Sequence, residues 1–120
     1  MATASGHTSA IRAKKVIGTS VKDPAGKKLG EIEDIVLDKQ SNNIMFAVVS
    51  FGGFLGMAEK YHPLPWHQLT YNRTYDAYVV NLDKRILEKA PSYGTADVFD
   101  WSGHGRDIDE YYSSREPPIM

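Results

Sequence analysis

The stretch IMFAVV at residues 44–49 is the longest apolar run in the chain, and it decides how the rest of the sequence is interpreted. Most of its residues are β-branched or aromatic, which favours a strand. Side chains of a strand point alternately to its two faces, and in this run both sets are apolar. An outer strand of a small barrel has one face in water, so this strand needs cover on its second face. Two sources of cover remain open: the C-terminal segment of the same chain, or another subunit.

Turn residues separate further predicted strands on both sides of this run. DPAG at residues 23–26 has the residue preferences of a type I turn, and it joins a predicted strand at 16–22 to one at 27–37. The asparagine pair at 42–43 tolerates left-handed backbone angles and suits a tight hairpin. Short apolar runs continue as far as residue 82 and indicate antiparallel strands.

The predicted strand at 27–37 departs from strict alternation. Ile32 and Ile35 are three residues apart, whereas Ile35 and Leu37 are two apart. A β-bulge near Glu33 and Asp34 would place all three apolar side chains on one face. Bulges of this kind allow a small sheet to curl into a barrel.

Helical patterns appear only near the C-terminus. Asp83 is a suitable N-cap for a short helix at residues 84–89. A second short helix is expected after Gly105, because three apolar or aromatic residues there share one helical face: Ile108, Tyr111 and Tyr112. The sequence therefore predicts strands first and one or two short helices last.

Length and composition indicate a single small domain. The chain has 120 residues, and its 14 Lys and Arg against 15 Asp and Glu give a net charge of -1. This balance argues against direct binding of nucleic acid, which requires a basic surface. Cysteine is absent, which excludes disulfides and thiol catalysis.

The ends carry no targeting pattern, and four segments are expected. The small polar residues 1–10 are expected to form a disordered lead, and they lack the apolar centre of a signal peptide. Residues 11–82 are expected to form the barrel, 83–112 a helical or irregular C-terminal segment, and 113–120 a frayed tail. The longest apolar run is far shorter than the roughly 20 residues of a membrane-spanning helix. We therefore expect no membrane span and a cytoplasmic location.

Several motifs together resemble the PRC-barrel domain family. They are VIG at 16–18, DPAG at 23–26, LGEIED at 29–34, VVSFGGFLG at 48–56, EK at 59–60 and PLPW at 63–66. The family includes the cytoplasmic domain of the photosynthetic reaction-centre H subunit and the C-terminal domain of the bacterial ribosome-maturation factor. The resemblance implies a mainly β protein, a small six-stranded antiparallel barrel, and it implies bacterial interaction modules without a common activity. It carries over neither named partner, because fold alone does not supply function.

No catalytic or cofactor motif accompanies this resemblance. The glycine loop of Gly52, Gly53 and Gly56 lacks the Lys and Ser or Thr that follow the last glycine of a phosphate-binding loop, so it is interpreted as structural. The sequence therefore predicts neither an enzyme nor a cofactor.

The leading hypothesis is a non-catalytic protein-binding module, expected to be a homodimer. It rests on the apolar residues near the glycine loop, which are too many for one core of this size, and these residues are the predicted contacts: Val49, Phe51, Phe54, Leu55 and Trp66. One alternative is a small-molecule or metal site built from His62, His67 and Glu59. The other is an adaptor in ribosome assembly that binds a basic protein.

Overall fold

The structure is a computed structural model that describes residues 10–51, 60–94 and 99–113. Its strands, in chain order, are β1 (Ser20–Lys22), β2 (Lys28–Leu37), β3 (Ile44–Ser50), β4 (Lys60–Pro65), β5 (Thr70–Asn72), β6 (Ala77–Val79) and β7 (Tyr93–Gly94). Its helices are α1 (Ala13–Val16), α2 (Lys84–Glu88) and α3 (Trp101–Ser113), with a 3₁₀ helix at Trp66–Gln68. Apart from Ala10 and Ser113, the predicted lead and tail lie outside the described residues. None of these helices has the length and apolar content needed to cross a membrane.

The strands form one mixed sheet, which corrects the expected six-stranded antiparallel barrel. Within the described ranges the sheet has seven strands in the order β5-β6-β1-β2-β3-β4-β7, and its outer strands β5 and β7 do not pair to close it. The seventh strand, β7, comes from the C-terminal segment and pairs with Lys60 and Tyr61 of β4. The pair β1–β6 is parallel, with Val21 opposite Tyr78. A parallel neighbour needs a long connection, and the strands from β2 to β5 provide it.

The predicted bulge in β2 is confirmed, but it directs only two of the three apolar side chains to the core. Ile32 lies opposite Val49 and Asp34 opposite Val48, so Glu33 is the extra residue of β2. This shift buries Ile32 in the core and packs Ile35 against it. A second register shift follows Val36, and Leu37 beyond it remains 60% exposed. The expectation that Leu37 shares the core face is therefore wrong.

The predicted turn at residues 23–26 is confirmed, with Asp23 as its organising side chain. The amide of Gly26 donates to the carbonyl of Asp23 at 2.9 Å, and Gly26 has a φ of 92°. The Asp23 carboxylate accepts from the amides of Ala25 at 3.0 Å and Lys27 at 2.8 Å. The first predicted strand begins later than expected, at Ser20, because Val16 ends α1 instead.

Both C-terminal helices begin at an aspartate cap. The Asp83 carboxylate accepts from the amide of Ile86 at 2.9 Å, which confirms the predicted cap of α2. The Asp100 carboxylate accepts from the amide of Gly103 at 3.1 Å, so α3 begins at Trp101 instead of after Gly105. A cap this early adds one helical turn to the predicted element.

The helix α3 covers the second face of β3, which answers the question raised by the apolar run. Phe46 and Val48 are as fully buried as Ala47 and Val49, although the two pairs point to opposite faces. The rings of Phe46 and Trp101 stack with 5.7 Å between their centroids. α3 also packs on β4 beside β3. The cover therefore comes from the same chain, at least over this part of β3.

Candidate interaction surface

The predicted contact residues do not form a free surface within the described residues. Val49 is 0% and Phe51 2% exposed, because both lie in the core of their own chain. They have no surface to offer a partner, because Val49 pairs with Ile32 and His62 on the two neighbouring strands and Phe51 packs on the His62 ring. Trp66 is half-buried, with its ring centroid 5.6 Å from that of Tyr78. The other predicted positions lie outside the described residues: Phe54, Leu55, Gly52, Gly53 and Gly56.

Exposed apolar side chains instead gather at the far end of the β2–β3 hairpin. Leu37 is 60%, Ile44 37% and Met45 40% exposed, and we call these three residues the hairpin patch; Leu37 and Ile44 share one face, and Met45, the next residue of β3, points to the other. Leu37 and Ile44 are register partners, so they lie side by side across the two strands. The remaining large exposed apolar residues on the described surface lie before α1, after α1 and in β5: Ile11, Ile17 and Tyr71. The hairpin patch is therefore the main cluster of such residues on the described surface.

A turn built on Asp38 holds the two strands of the patch together. The Asp38 amide donates to the carbonyl of Asn43 at 2.9 Å, and the Asn42 amide donates to the carbonyl of Asp38 at 2.8 Å. Asn42 has a φ of 67°, which confirms the left-handed residue expected in this hairpin. The Asp38 carboxylate accepts from the amide of Gln40 at 3.0 Å and from the hydroxyl of Ser41 at 2.9 Å. These bonds fix the backbone that presents the patch.

The turn also places a negative and a positive group beside the patch. Hydrogen bonds from the Gln40 amide, and then from the Ser41 hydroxyl, lower the pKa of Asp38 below its ordinary value. Asp38 is therefore ionised at neutral pH. Lys39, the next residue, is exposed and carries the opposite charge.

Sequence reasoning missed this patch for an identifiable reason. The bulge predicts Leu37 on the same face as Ile32 and Ile35, and the apolar run predicts no special position for Ile44. The signal that points to them is position, since Leu37 and Ile44 directly flank the predicted turn at the outermost pair of the hairpin. Apolar residues at that pair have no strand or helix beyond them to supply cover.

The histidines proposed as metal ligands lie in different environments. His62 is buried in β4, whereas His67 is exposed in the 3₁₀ helix, and Glu59 lies outside the described residues. In the described ranges, no group of three or more His, Asp or Glu side chains is placed to hold a metal ion. One of the three expected ligands therefore lies outside the described residues, and the other two, His62 and His67, differ in burial.

A cluster of aromatic rings joins β7 to α3. Tyr93 stacks on Phe99 at 4.6 Å and meets Trp101 edge-on at 6.0 Å, while Phe99 and Trp101 are 4.7 Å apart. Tyr61 of β4 extends the cluster, at 5.5 Å from Tyr93. Since the rings contact one another directly, their arrangement fastens the C-terminal segment to the sheet.

The bulged residue Glu33 is tied to the neighbouring strand. The hydroxyl of Ser50 donates to Oε2 of Glu33 at 2.7 Å, and this contact is partly buried. A hydrogen bond to a charged acceptor contributes about 1.5–3 kcal/mol. The pair therefore stabilises the bulge that shapes the sheet.

Comparison with known proteins identifies a family match over most of the sheet. The family model of the PRC-barrel domain matches residues 9–88. The match includes β1 to β6 and α2, while β7 and α3 lie beyond it. A search of the curated proteins finds no match. The helix that covers β3 is thus an addition to the matched domain.

Proposed function

The chain belongs to the PRC-barrel domain family, and on that premise we propose that it is a non-catalytic protein-binding module that forms a homodimer through the hairpin patch. The observation that carries the proposal is the exposure of Leu37 and Ile44 side by side at the turn of the β2–β3 hairpin, with Met45 exposed at the next position of β3. Grouped apolar side chains on a surface mark interaction sites, because burying them against a partner removes them from water.

The charges beside the patch support a second copy of the chain as the partner. In a two-fold interface each patch meets itself, so any charge at its rim faces the residues of the same rim. Asp38 and Lys39 are adjacent and opposite in charge, and an antiparallel approach of two hairpins brings Asp38 of each copy toward Lys39 of the other. The rim is therefore self-complementary.

A cytoplasmic location is proposed alongside this function. Its support is the absence of cysteine from the sequence, which suits a reducing compartment.

Light scattering on purified full-length protein tests the proposed dimer. At tens of micromolar we expect the wild type to have twice the mass of one 13.4 kDa chain. Leu37→Lys places a charge in the centre of the patch and is expected to give single chains. Ile17→Lys is the matched control, since Ile17 is also exposed, at 41%, but lies outside the patch.

Three results would count against the proposal. A wild type that remains a single chain at high micromolar concentration removes its basis. A dimer that survives in Leu37→Lys, or that dissociates in Ile17→Lys, places the interface elsewhere. Thermal melting of each variant shows that a change in mass does not come from unfolding.

A further inference from the structure

The most unusual polar group of the core is the imidazole of His62. Its side chain is 2% exposed, and within the described residues neither Nδ1 nor Nε2 has a hydrogen-bond partner. It lies opposite Val49 on β3, and the ring of Phe51 meets it edge-on at 5.2 Å. Buried polar atoms normally find partners, so a histidine kept in an apolar setting calls for an explanation.

The surroundings of the ring oppose a positive charge. Burial is the largest influence and lowers the pKa of His62. The backbone carbonyls of Lys60 and Leu87 lie near the ring and act in the opposite direction, but the positive charge of Lys60 adds to the lowering. The register partner Val49 of β3 and the ring of Phe51, just after β3, are uncharged, and α2 contributes the Leu87 carbonyl. Lys60 is thus the charged group that faces His62 in the described ranges, and it has the same sign as an imidazolium.

The helix α2 has links both to His62 and to the C-terminal helix. Leu87 of α2 is fully buried, and its carbonyl is near the imidazole. The preceding residue, Ile86, accepts a hydrogen bond at 2.6 Å from the hydroxyl of Tyr111 in α3. A displacement of α2 would therefore change two contacts, that of Leu87 beside His62 and the hydrogen bond from Tyr111 near the end of α3.

We propose that His62 is an acid-sensitive latch: when its imidazole gains a proton, α2 separates from the sheet and the end of α3 loses its attachment. An imidazolium is costly here because burial outweighs the two nearby carbonyls, so the charged ring must reach water. The element that opens is the short helix beside it, because α2 has only five residues, of which Leu87 is buried and Ile86 partly buried against the core, with one cap and one tyrosine as its side-chain hydrogen bonds. This inference does not depend on the hairpin patch.

The direction of the pH effect follows from proton linkage. His62 binds a proton less readily in the folded chain than in the unfolded chain, whose value is about 6.5. The opened state therefore takes up a proton that the closed state does not, and opening becomes easier as the pH falls below that value. One proton changes the opening equilibrium by up to about tenfold for each pH unit.

Hydrogen exchange with mass spectrometry tests the latch on the full chain at pH 7.5 and pH 5.5, after correction for the intrinsic pH dependence of exchange. We expect peptides from α2 and the end of α3 to lose protection at pH 5.5 by at least about threefold, within the linkage limit of one proton. The protection of peptides from the turn at 23–26 should not change.

His62→Phe should abolish the acid response of α2, because no proton is then taken up there. His104→Gln, which changes an exposed histidine in α3, should retain the response.

If His62→Phe does not fold, an NMR titration of the wild type tests the proposal by following the protonation of the His62 ring directly. We expect the His62 ring to be still neutral at pH 6.5. It should gain its proton only at lower pH, over the same range in which α2 loses protection. The proposal is overturned by equal protection of α2 at both pH values, or by an unchanged acid response in His62→Phe. It is also overturned by a His62 ring that titrates at or above its ordinary value, or by a response that disappears in His104→Gln.

Discussion

The main chain of Gly30 in β2 lies directly against the carbonyl of Ser50 at the end of β3. A Cβ atom at Gly30 would lie 2.0 Å from that oxygen and 3.1 Å from the Cα of Phe51. On its other side Gly30 pairs with Val21 of β1. The backbone is therefore enclosed between two strands, and glycine is required there for the close approach.

Gly30→Ala is expected to destabilise the fold. The obstructing atoms belong to the backbone of β3 and cannot rotate away, so the added methyl forces the strands apart. Overpacking of this kind costs about 1–3 kcal/mol, and a backbone neighbour places Gly30→Ala at the upper end, about 3 kcal/mol. Urea unfolding measures the loss.

Gly105→Ala is the control for this substitution. A Cβ at Gly105 would lie 3.7 Å from the ring of Phe46, which is an ordinary contact, and alanine is the better helix former by about 1 kcal/mol. We expect unchanged or higher stability. If both substitutions cost the same, the enclosure of Gly30 does not explain the effect.

Tyr111→Phe is expected to loosen α3 from α2. The change removes the hydroxyl that donates to the Ile86 carbonyl and leaves the ring in place. A net loss of about 1 kcal/mol follows from one hydrogen bond, with faster hydrogen exchange in α2. Tyr61→Phe is the control, because the ring of Tyr61 in β4 contacts Tyr93 and is kept by the substitution. It should change the free energy of unfolding by less than about 0.5 kcal/mol. Equal effects from the two variants would contradict the link between the helices.

Asp38→Ala is expected to show a pH-dependent cost at the hairpin turn. Because the folded pKa of Asp38 lies below its ordinary value, the ionised carboxylate stabilises the fold above about pH 4. This contribution is lost as the pH falls through the lowered pKa. The variant should therefore melt at a lower temperature than the wild type at pH 7, and the difference should shrink toward pH 2. Lys39→Ala serves as the neighbouring control, and a difference that is the same at both pH values would exclude the charge as its source.

The local elements of the fold could be predicted from the sequence because single side chains determine them. Asp23 and Asp83 organise the turn and the cap that their types indicate. The spacing of Ile32 and Ile35 revealed the bulge, since only an extra residue brings both toward the core. Each of these features depends on neighbours within a few residues.

The remaining features depend on contacts between distant segments. The parallel pairing of Val21 with Tyr78 joins strands far apart in sequence, and no local pattern encodes it. Val49 and Phe51 are buried by segments distant in sequence: Val49 pairs with Ile32 and His62, and Phe51 packs on the His62 ring, so no local pattern indicates how much cover they receive. The exposed apolar residues of the described surface lead instead to the hairpin patch as the candidate interface.

The distance between spin labels on two copies of the chain tests the hairpin interface most directly. The sequence has no cysteine, so Ala25→Cys and Gln40→Cys each provide one unique label. Ala25 lies in the turn before β2 and Gln40 in the turn after it, and the ten residues of β2 separate the two positions by roughly 30 Å. We expect strong dipolar coupling between the two copies labelled at Gln40→Cys, and much weaker coupling at Ala25→Cys. Stronger coupling at Ala25→Cys, or no coupling from either label at high micromolar concentration, would contradict the proposed dimer.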